Sequence, residues 1–291
     1  MSRVLIAAAM LATLAAARVG NAQEMPADYA AVLETLERSG DYADDVLKVN
    51  IPRDDLRVTV DGVAVPTALG FGGWIAFTRS DEDQDVVMGD LVLTEDEVNR
   101  VMSAALDNGL DVTALHNHFF WDSPRMFFMH VHARGALADL VSRVEPVVAM
   151  IGGAPVVGPA APAEGLDVEA LAAIVGYPGT GSGPVFKITI GRPDIDLREH
   201  GARIGSRMGL NTWAAFTGSD RQAMVAGDVA MLASEVTAVL QALRSHGIFI
   251  VALHHHMVGT DPAVYFVHYW GRGPAEELAR GVRAALDVTG G

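Results

Sequence analysis

Cysteine is absent from all 291 residues. That excludes disulfides, thiolate metal sites and any lipid attached through an N-terminal cysteine, so stability must come from packing and from any bound ion. Positive charge is scarce too: 21 Lys and Arg stand against 36 Asp and Glu, a formal net charge of −15. A surface of that sign repels nucleic acid and anionic lipid and attracts cations, which argues against a nucleic-acid partner. No nucleophilic serine motif, phosphate loop or dinucleotide fingerprint occurs, and the 12 methionines are scattered rather than gathered into a copper tract.

Residues 1–22 read as a secretory signal peptide. Arg3 supplies a short basic start, Val4 to Ala17 is an apolar run, and Gly20-Asn21-Ala22 is a small-x-small cleavage site before Gln23. The run is shorter than the roughly 20 residues a spanning helix needs, and Arg18 interrupts its end. The expected mature protein is periplasmic or secreted, is not integral to the membrane, and carries −17 once Arg3 and Arg18 are removed.

What the chain has in plenty is repetition. Ala114-Leu115-His116-Asn117-His118, Pro124 and His130 return 138 positions later as Ala252-Leu253-His254-His255-His256, Pro262 and His268. Gly89-Asp90 matches Gly227-Asp228, Glu97 matches Glu235, Phe128 matches Phe266, and Arg134-Gly135 matches Arg272-Gly273. Upstream, at an offset one residue longer, Lys48 pairs with Lys187, Arg53 with Arg192 and Trp74 with Trp213. A period this long far exceeds the roughly 20–50 residues of solenoid repeats, so each copy is a domain-sized lobe. The first lobe is placed at 26–148 and the second at 166–288, with a Gly/Pro/Ala linker over 149–165.

Val46 to Ile51, Leu56 to Val60, Trp74 to Thr78 and Val86 to Leu93 read as strands. Thr94 opens a helix with Glu97 in a capping box. Leu110 to His116 and Met126 to Ala133 form a strand pair, followed by a helix from about Ala136 to Val144. The second copy repeats this order. The fold class is α+β: two related lobes, each an antiparallel sheet with helices on one side, in a pseudo-twofold arrangement.

Alternation on strands puts His116 and His118 on one face, and His130 and His132 on one face with Phe128. In the second copy His254, His256 and His268 repeat the set, with Trp270 in place of the fourth histidine. Three imidazoles with a further position open suit a divalent metal, zinc first, with copper, nickel or iron also accommodated. The metal candidates are therefore His116, His118, His130, His132, His254, His256 and His268, in one site per lobe or one composite site between lobes.

Glu97 is the candidate general base, weighed against a helix-capping role. Asp90 and Asp228 read as turn formers, as do Asp122 and Asp261. Trp74 and Trp213 read as core residues, and Lys48, Lys187, Arg53 and Arg192 as surface or interlobe ion-pair residues. Arg134 and Arg272 are candidates for anion contact.

The strings Lys48-Val49-Asn50-Ile51-Pro52-Arg53-Asp54-Asp55-Leu56, Gly73-Trp74-Ile75-Ala76-Phe77, Met88-Gly89-Asp90-Leu91-Val92-Leu93 and Thr113 to His118 with Phe128-Met129-His130 together resemble the LppY/LpqO family. These are secreted bacterial proteins built from a duplicated domain of unknown function. The resemblance implies export and supplies no reaction. The spacing His116 to Asp122 is similar to a cupin metal motif, and the hairpin to the zinc site of acetolactate decarboxylase, in spacing alone.

Three functions are expected from these residues: an exported metal-binding protein active in metal handling; a metal-dependent hydrolase or lyase using a histidine triad and activated water; or an envelope ligand-binding protein that holds an anion without metal.

Overall fold

The computed structural model describes residues 23–81, 84–153 and 165–290. The expected signal peptide and most of the expected linker, 154–164, lie outside these residues.

The first half contains α1 (Ala27–Thr35), β1 (Gly40–Ala43), β2 (Val46–Ile51), β3 (Val58–Val60), β4 (Val63–Val65), β5 (Gly73–Arg79) and β6 (Asp85–Thr94). It continues through α2 (Glu95–Asp107), β7 (Asp111–His116), β8 (Asp122–Ser123), β9 (Met126–Gly135) and α3 (Leu137–Val148). Thr94 and Glu97 form the expected capping box at the start of α2. Six strands make an antiparallel sheet in the order β1-β2-β5-β6-β9-β7.

The second half runs through α4 (Val168–Val175), β10 (Gly179–Ser182), β11 (Val185–Gly191), β12 (Arg198–Glu199), β13 (Ala202–Arg203), β14 (Asn211–Ser219) and β15 (Gln222–Leu232). Then come α5 (Val236–Ser245), β16 (Phe249–His254), β17 (Val264–Gly273) and α6 (Ala275–Leu286). Its sheet order, β10-β11-β14-β15-β17-β16, repeats the first strand for strand. Helices α1 and α4 and strands β1 and β10 have no counterpart among the elements expected from the sequence.

Strand alternation divides each sheet between two cores. Leu47, Val49, Ile75, Phe77, Leu91, Met129 and Val131 pack against helix residues such as Val101, Leu140 and Val144. In the second half Ile188, Phe216, Val225 and Val267 do the same against Val239, Leu243 and Val282. Gly89 and Gly227 sit on these helix-facing surfaces at points of close approach. A Cβ at Gly89 would lie 2.9 Å from Val131, and one at Gly227 would collide with Tyr269.

The opposite face of each sheet is covered by the other half of the chain. Ala76, Val86 and Met88 of the first sheet pack with Ile195, Leu197, Ile204 and Met208, which lie between β11 and β14. Ala215, Met224 and Ala226 of the second sheet pack with Val58, Val60, Leu69 and Phe71, which lie between β2 and β5. The exchange is reciprocal, and it brings the two histidine hairpins together.

Candidate metal centre between the two halves

On β9, Phe128, His130 and His132 point away from the helices, while Met129 and Val131 enter the first core. On β17, Phe266, His268 and Trp270 take the same face. β7 pairs with β9 so that Ala114 opposes His130 and His116 opposes Phe128. His116 and His254 are the last residues of their strands, and His118 and His256 lie just beyond, in loops rather than on the strands the sequence suggested.

Six histidines, three from each half, meet at the interface. Ring centroids stand 3.9 Å apart for His116 and His254, 3.6 Å for His118 and His268, and 4.1 Å for His130 and His256. The Nε2 atoms of His116 and His130 are 3.0 Å apart, and those of His254 and His256 are 3.1 Å apart. Two triads have ligand atoms mutually within 4.8 Å: His116, His254 and His268, and His130, His254 and His256. Each triad draws on both halves.

Backbone carbonyls fix several of these rings. Nδ1 of His118 faces the Gly70 carbonyl at 3.2 Å, Nδ1 of His268 faces that of Gly227 at 3.3 Å, and His256 bonds the backbone of Gly209. A ring that donates from Nδ1 presents its Nε2 lone pair on the other side, as a metal ligand must. Nε2 of His118 and of His268, and Nδ1 of His254, are buried without a partner. Burial holds all six imidazoles below their ordinary range and so keeps them neutral, His116 at about 4.

His132 does not join the cluster. Its Nδ1 lies 2.9 Å from a carboxylate oxygen of Glu199 in the other half. The expected fourth ligand of the first hairpin is therefore an interlobe contact, and Trp270, at the equivalent place, packs into an apolar cluster. Glu97 is likewise drawn away. It accepts from Arg53 at 2.8 Å, from the Thr94 backbone at 2.8 Å and from the Gly152 backbone at 3.2 Å. Although burial opposes it, those bonds hold its carboxyl below the usual value. Glu235 repeats this arrangement with Arg192, Leu232 and Gly290. Arg53 and Arg192 are thus buried anchors within their own halves, not surface or interlobe residues.

Beside the histidines lies a cavity of about 290 Å³ lined by Lys48, Trp74, Asp90, Lys187, Trp213 and Asp228, together with His118, His256 and His268. Asp90 and Asp228 sit mid-strand on β6 and β15, not in turns, because each occupies the interface face of its sheet. Oδ2 of Asp228 is 3.5 Å from Nε2 of His256, and one oxygen of each carboxyl is buried without a partner. Burial raises Asp90 to about 7, and it lifts Asp228 well above the carboxylate range, with Asp90 adding to the effect. Trp74 and Trp213 line the cavity, and Lys48 and Lys187 stand 4.4 Å over their rings. A signal for the two acids was available: each is the polar residue in a long apolar strand, on the same face as the histidines.

Asp122, expected in a turn, lies on the short strand β8 opposite Val60, and its carboxylate accepts from the Met126 backbone at 2.7 Å. Arg272 reaches Asp61 of the other half at 3.6 Å. No helix among the described residues is long and apolar enough to cross a membrane.

No curated protein matches the chain. Among solved structures, EtuB from Clostridium kluyveri aligns at 9% identity over 87% of this chain and 90% of its own, with a TM-score of 0.22. The trimeric bacterial microcompartment shell protein PduB aligns at 11% identity over 84% and 87%, with a TM-score of 0.21. Both scores lie below the level of a shared fold. The family described as Domain of Unknown Function (DUF1259) matches residues 30–150 and again residues 169–288. The chain belongs to that family and carries its domain twice.

Proposed function

We propose that this protein is an exported divalent-metal protein whose ion, zinc first among the candidates, is held between its halves by histidines of both. The observation that carries the reading is the pair of mixed triads sharing His254. Two nitrogens bound to one tetrahedral zinc at about 2.0–2.1 Å lie ~3.3 Å apart. Within the second triad the Nε2 atoms of His254 and His256, 3.1 Å apart, come within a few tenths of an ångström of that spacing. Neutral rings, backbone-oriented tautomers and unpartnered ring nitrogens all favour a metal over a purely hydrogen-bonded cluster. Copper, nickel and iron suit the same donors. The halves would pack about a pseudo-twofold axis through this centre, and the LppY/LpqO grouping, with its signal for export, fits the same picture.

A second reading, a metal-dependent hydrolase or lyase, is favoured by the adjoining cavity. Two buried carboxyls beside a metal site, each with one oxygen free of hydrogen bonds, would give a bound water both a Lewis acid and a proton acceptor. Elemental analysis of the mature protein purified without an affinity tag tests the metal reading. One tightly held ion per chain is expected. Absence of metal, with no uptake of zinc, copper, nickel or iron on titration, would overturn both readings.

A further inference from the structure

The chain contains only two lysines, Lys48 and Lys187, against nineteen arginines. They occupy equivalent places on β2 and β11, and both line the central cavity. Each ammonium is stacked over a tryptophan of its own half, Trp74 or Trp213, which fixes its position by cation–π attraction. Neither has a hydrogen-bond or ion-pair partner among the described residues. The buried arginines of this protein behave otherwise: Arg53 and Arg192 each hold two carboxylates. Burial disfavours both ammoniums and the nearby carboxyls of Asp90 and Asp228 offset this only in part, so two such groups facing one cavity call for a further anion. An ammonium is a compact charge with three rotatable donors, suited to an anion that a rigid guanidinium fork would crowd.

We propose that Lys48 and Lys187 together bind the carboxylate of a small organic acid in the central cavity, with a second oxygen of that acid facing the histidine-held metal. The inference deepens the metal reading and rests on it. Charge favours a dianion: with a divalent ion present, two ammoniums and the metal outweigh Asp90 and Asp228 even when both acids are ionised, and Arg207 at the rim is already paired with Asp41. Size favours a short acid, because a cavity of about 290 Å³ stands at the lower end of roughly 300–1,000 Å³ for small-molecule pockets.

The test is calorimetric titration of the zinc-loaded mature protein with malonate, oxalate and phosphate, with zinc content measured before and after. Malonate or oxalate should bind more tightly than phosphate and leave zinc in place. The doubly substituted K48M/K187M protein should keep its zinc and bind the acid at least about 100-fold more weakly, the scale expected for losing two charge-assisted contacts. Equal binding by that variant, preference for phosphate, stripping of zinc or no binding to loaded wild type would each overturn the proposal. Because the chain has two lysines, wild-type protein labelled with 13Cε-lysine gives two side-chain resonances that both report on the cavity. Malonate should shift both, and unmoved resonances would overturn the proposal even if the double variant fails to fold. Failure of the metal reading shows separately, as wild type that takes up no zinc before any acid is added.

Discussion

His116 and His254 stand at equivalent positions of the two copies, and their ring centroids are 3.9 Å apart. Each is farther from the other clustered histidines of its own half: 5.3 and 5.1 Å for His116, 5.0 and 4.6 Å for His254. A duplication that could have made two independent sites has instead made one cluster that neither half completes.

That relationship sets the first prediction. His254 belongs to both triads, whereas His116 belongs to one. His254→Ala should weaken zinc binding by at least about 100-fold, beyond the 10–100-fold typical of losing a residue that only supports a ligand. His116→Ala should weaken it less, because His130, His254 and His256 remain. Calorimetric titration of both variants checks the order, and equal small losses would count against a shared centre.

Much of this arrangement was legible in the residues. The alternation on β9 placed His130 with Phe128, and the capping signature placed α2. What the sequence could not give was which half each histidine would meet. Strand period fixes a face, and the partner of that face is a tertiary choice made by residues between β2 and β5 and between β11 and β14, which have weak local signals. The same gap misplaced Asp90, Asp228 and the two lysines, since polar residues of this type read as turn or surface positions until a buried cavity is known to lie beside them.

The pH dependence of stability follows from the buried imidazoles. In the unfolded chain they take up protons near pH 6.5, but in the folded chain burial holds His116 at about 4 and the other five well below normal. Between those values the unfolded state binds more protons, so the contribution is fully present above about pH 6.5 and is lost as pH falls through the folded values. Asp90, raised to about 7, and Asp228, raised well above the carboxylate range, act in the opposite sense, since their raised values favour the folded state in acid. Six imidazoles outnumber two carboxyls. The urea midpoint of the metal-free protein should therefore fall steeply from pH 6.5 to 4.5, and a flat profile would contradict the burial argument.

Glu97 has a structural role, and its removal should show it. The Arg53 side chain is 1% exposed and the Glu97 side chain 7%, so Glu97→Ala leaves a buried guanidinium short of one of its two carboxylates. A loss of about 3–5 kcal/mol is expected from chemical denaturation. Zinc uptake by the folded fraction should be unchanged. A variant of normal stability that no longer took up zinc would return Glu97 to the site.

His132→Ala separates the interlobe contact from the metal centre. The substitution leaves the buried Glu199 without its imidazole partner, at a cost of roughly 1–3 kcal/mol. Metal affinity should stay within a few-fold of wild type, because neither triad includes His132. A loss comparable to that of His254→Ala would show that the ion reaches the fourth histidine after all.

The reciprocal packing of the halves makes a final prediction about residues 23–150 expressed alone. The helix-side core of this fragment is complete but for Ile151, since it is otherwise built from α1, α2, α3 and their own sheet. Its other face is not: Val58, Val60, Leu69 and Phe71 pack in the full chain against Val185, Ala215, Met224 and Trp270, which the fragment lacks. Folded monomers rarely expose a contiguous apolar patch beyond a few hundred Å². A second copy of the fragment offers an equivalent sheet face, with Ala76 and Met88 where the full chain has Ala215 and Ala226. The fragment should therefore run as a homodimer on size exclusion with light scattering. It should also take up zinc across its new interface, because His116, His118 and His130 are present in both copies. A stable, well-folded monomer would show that the reciprocal clusters are dispensable and that the two halves are held together chiefly at the histidines.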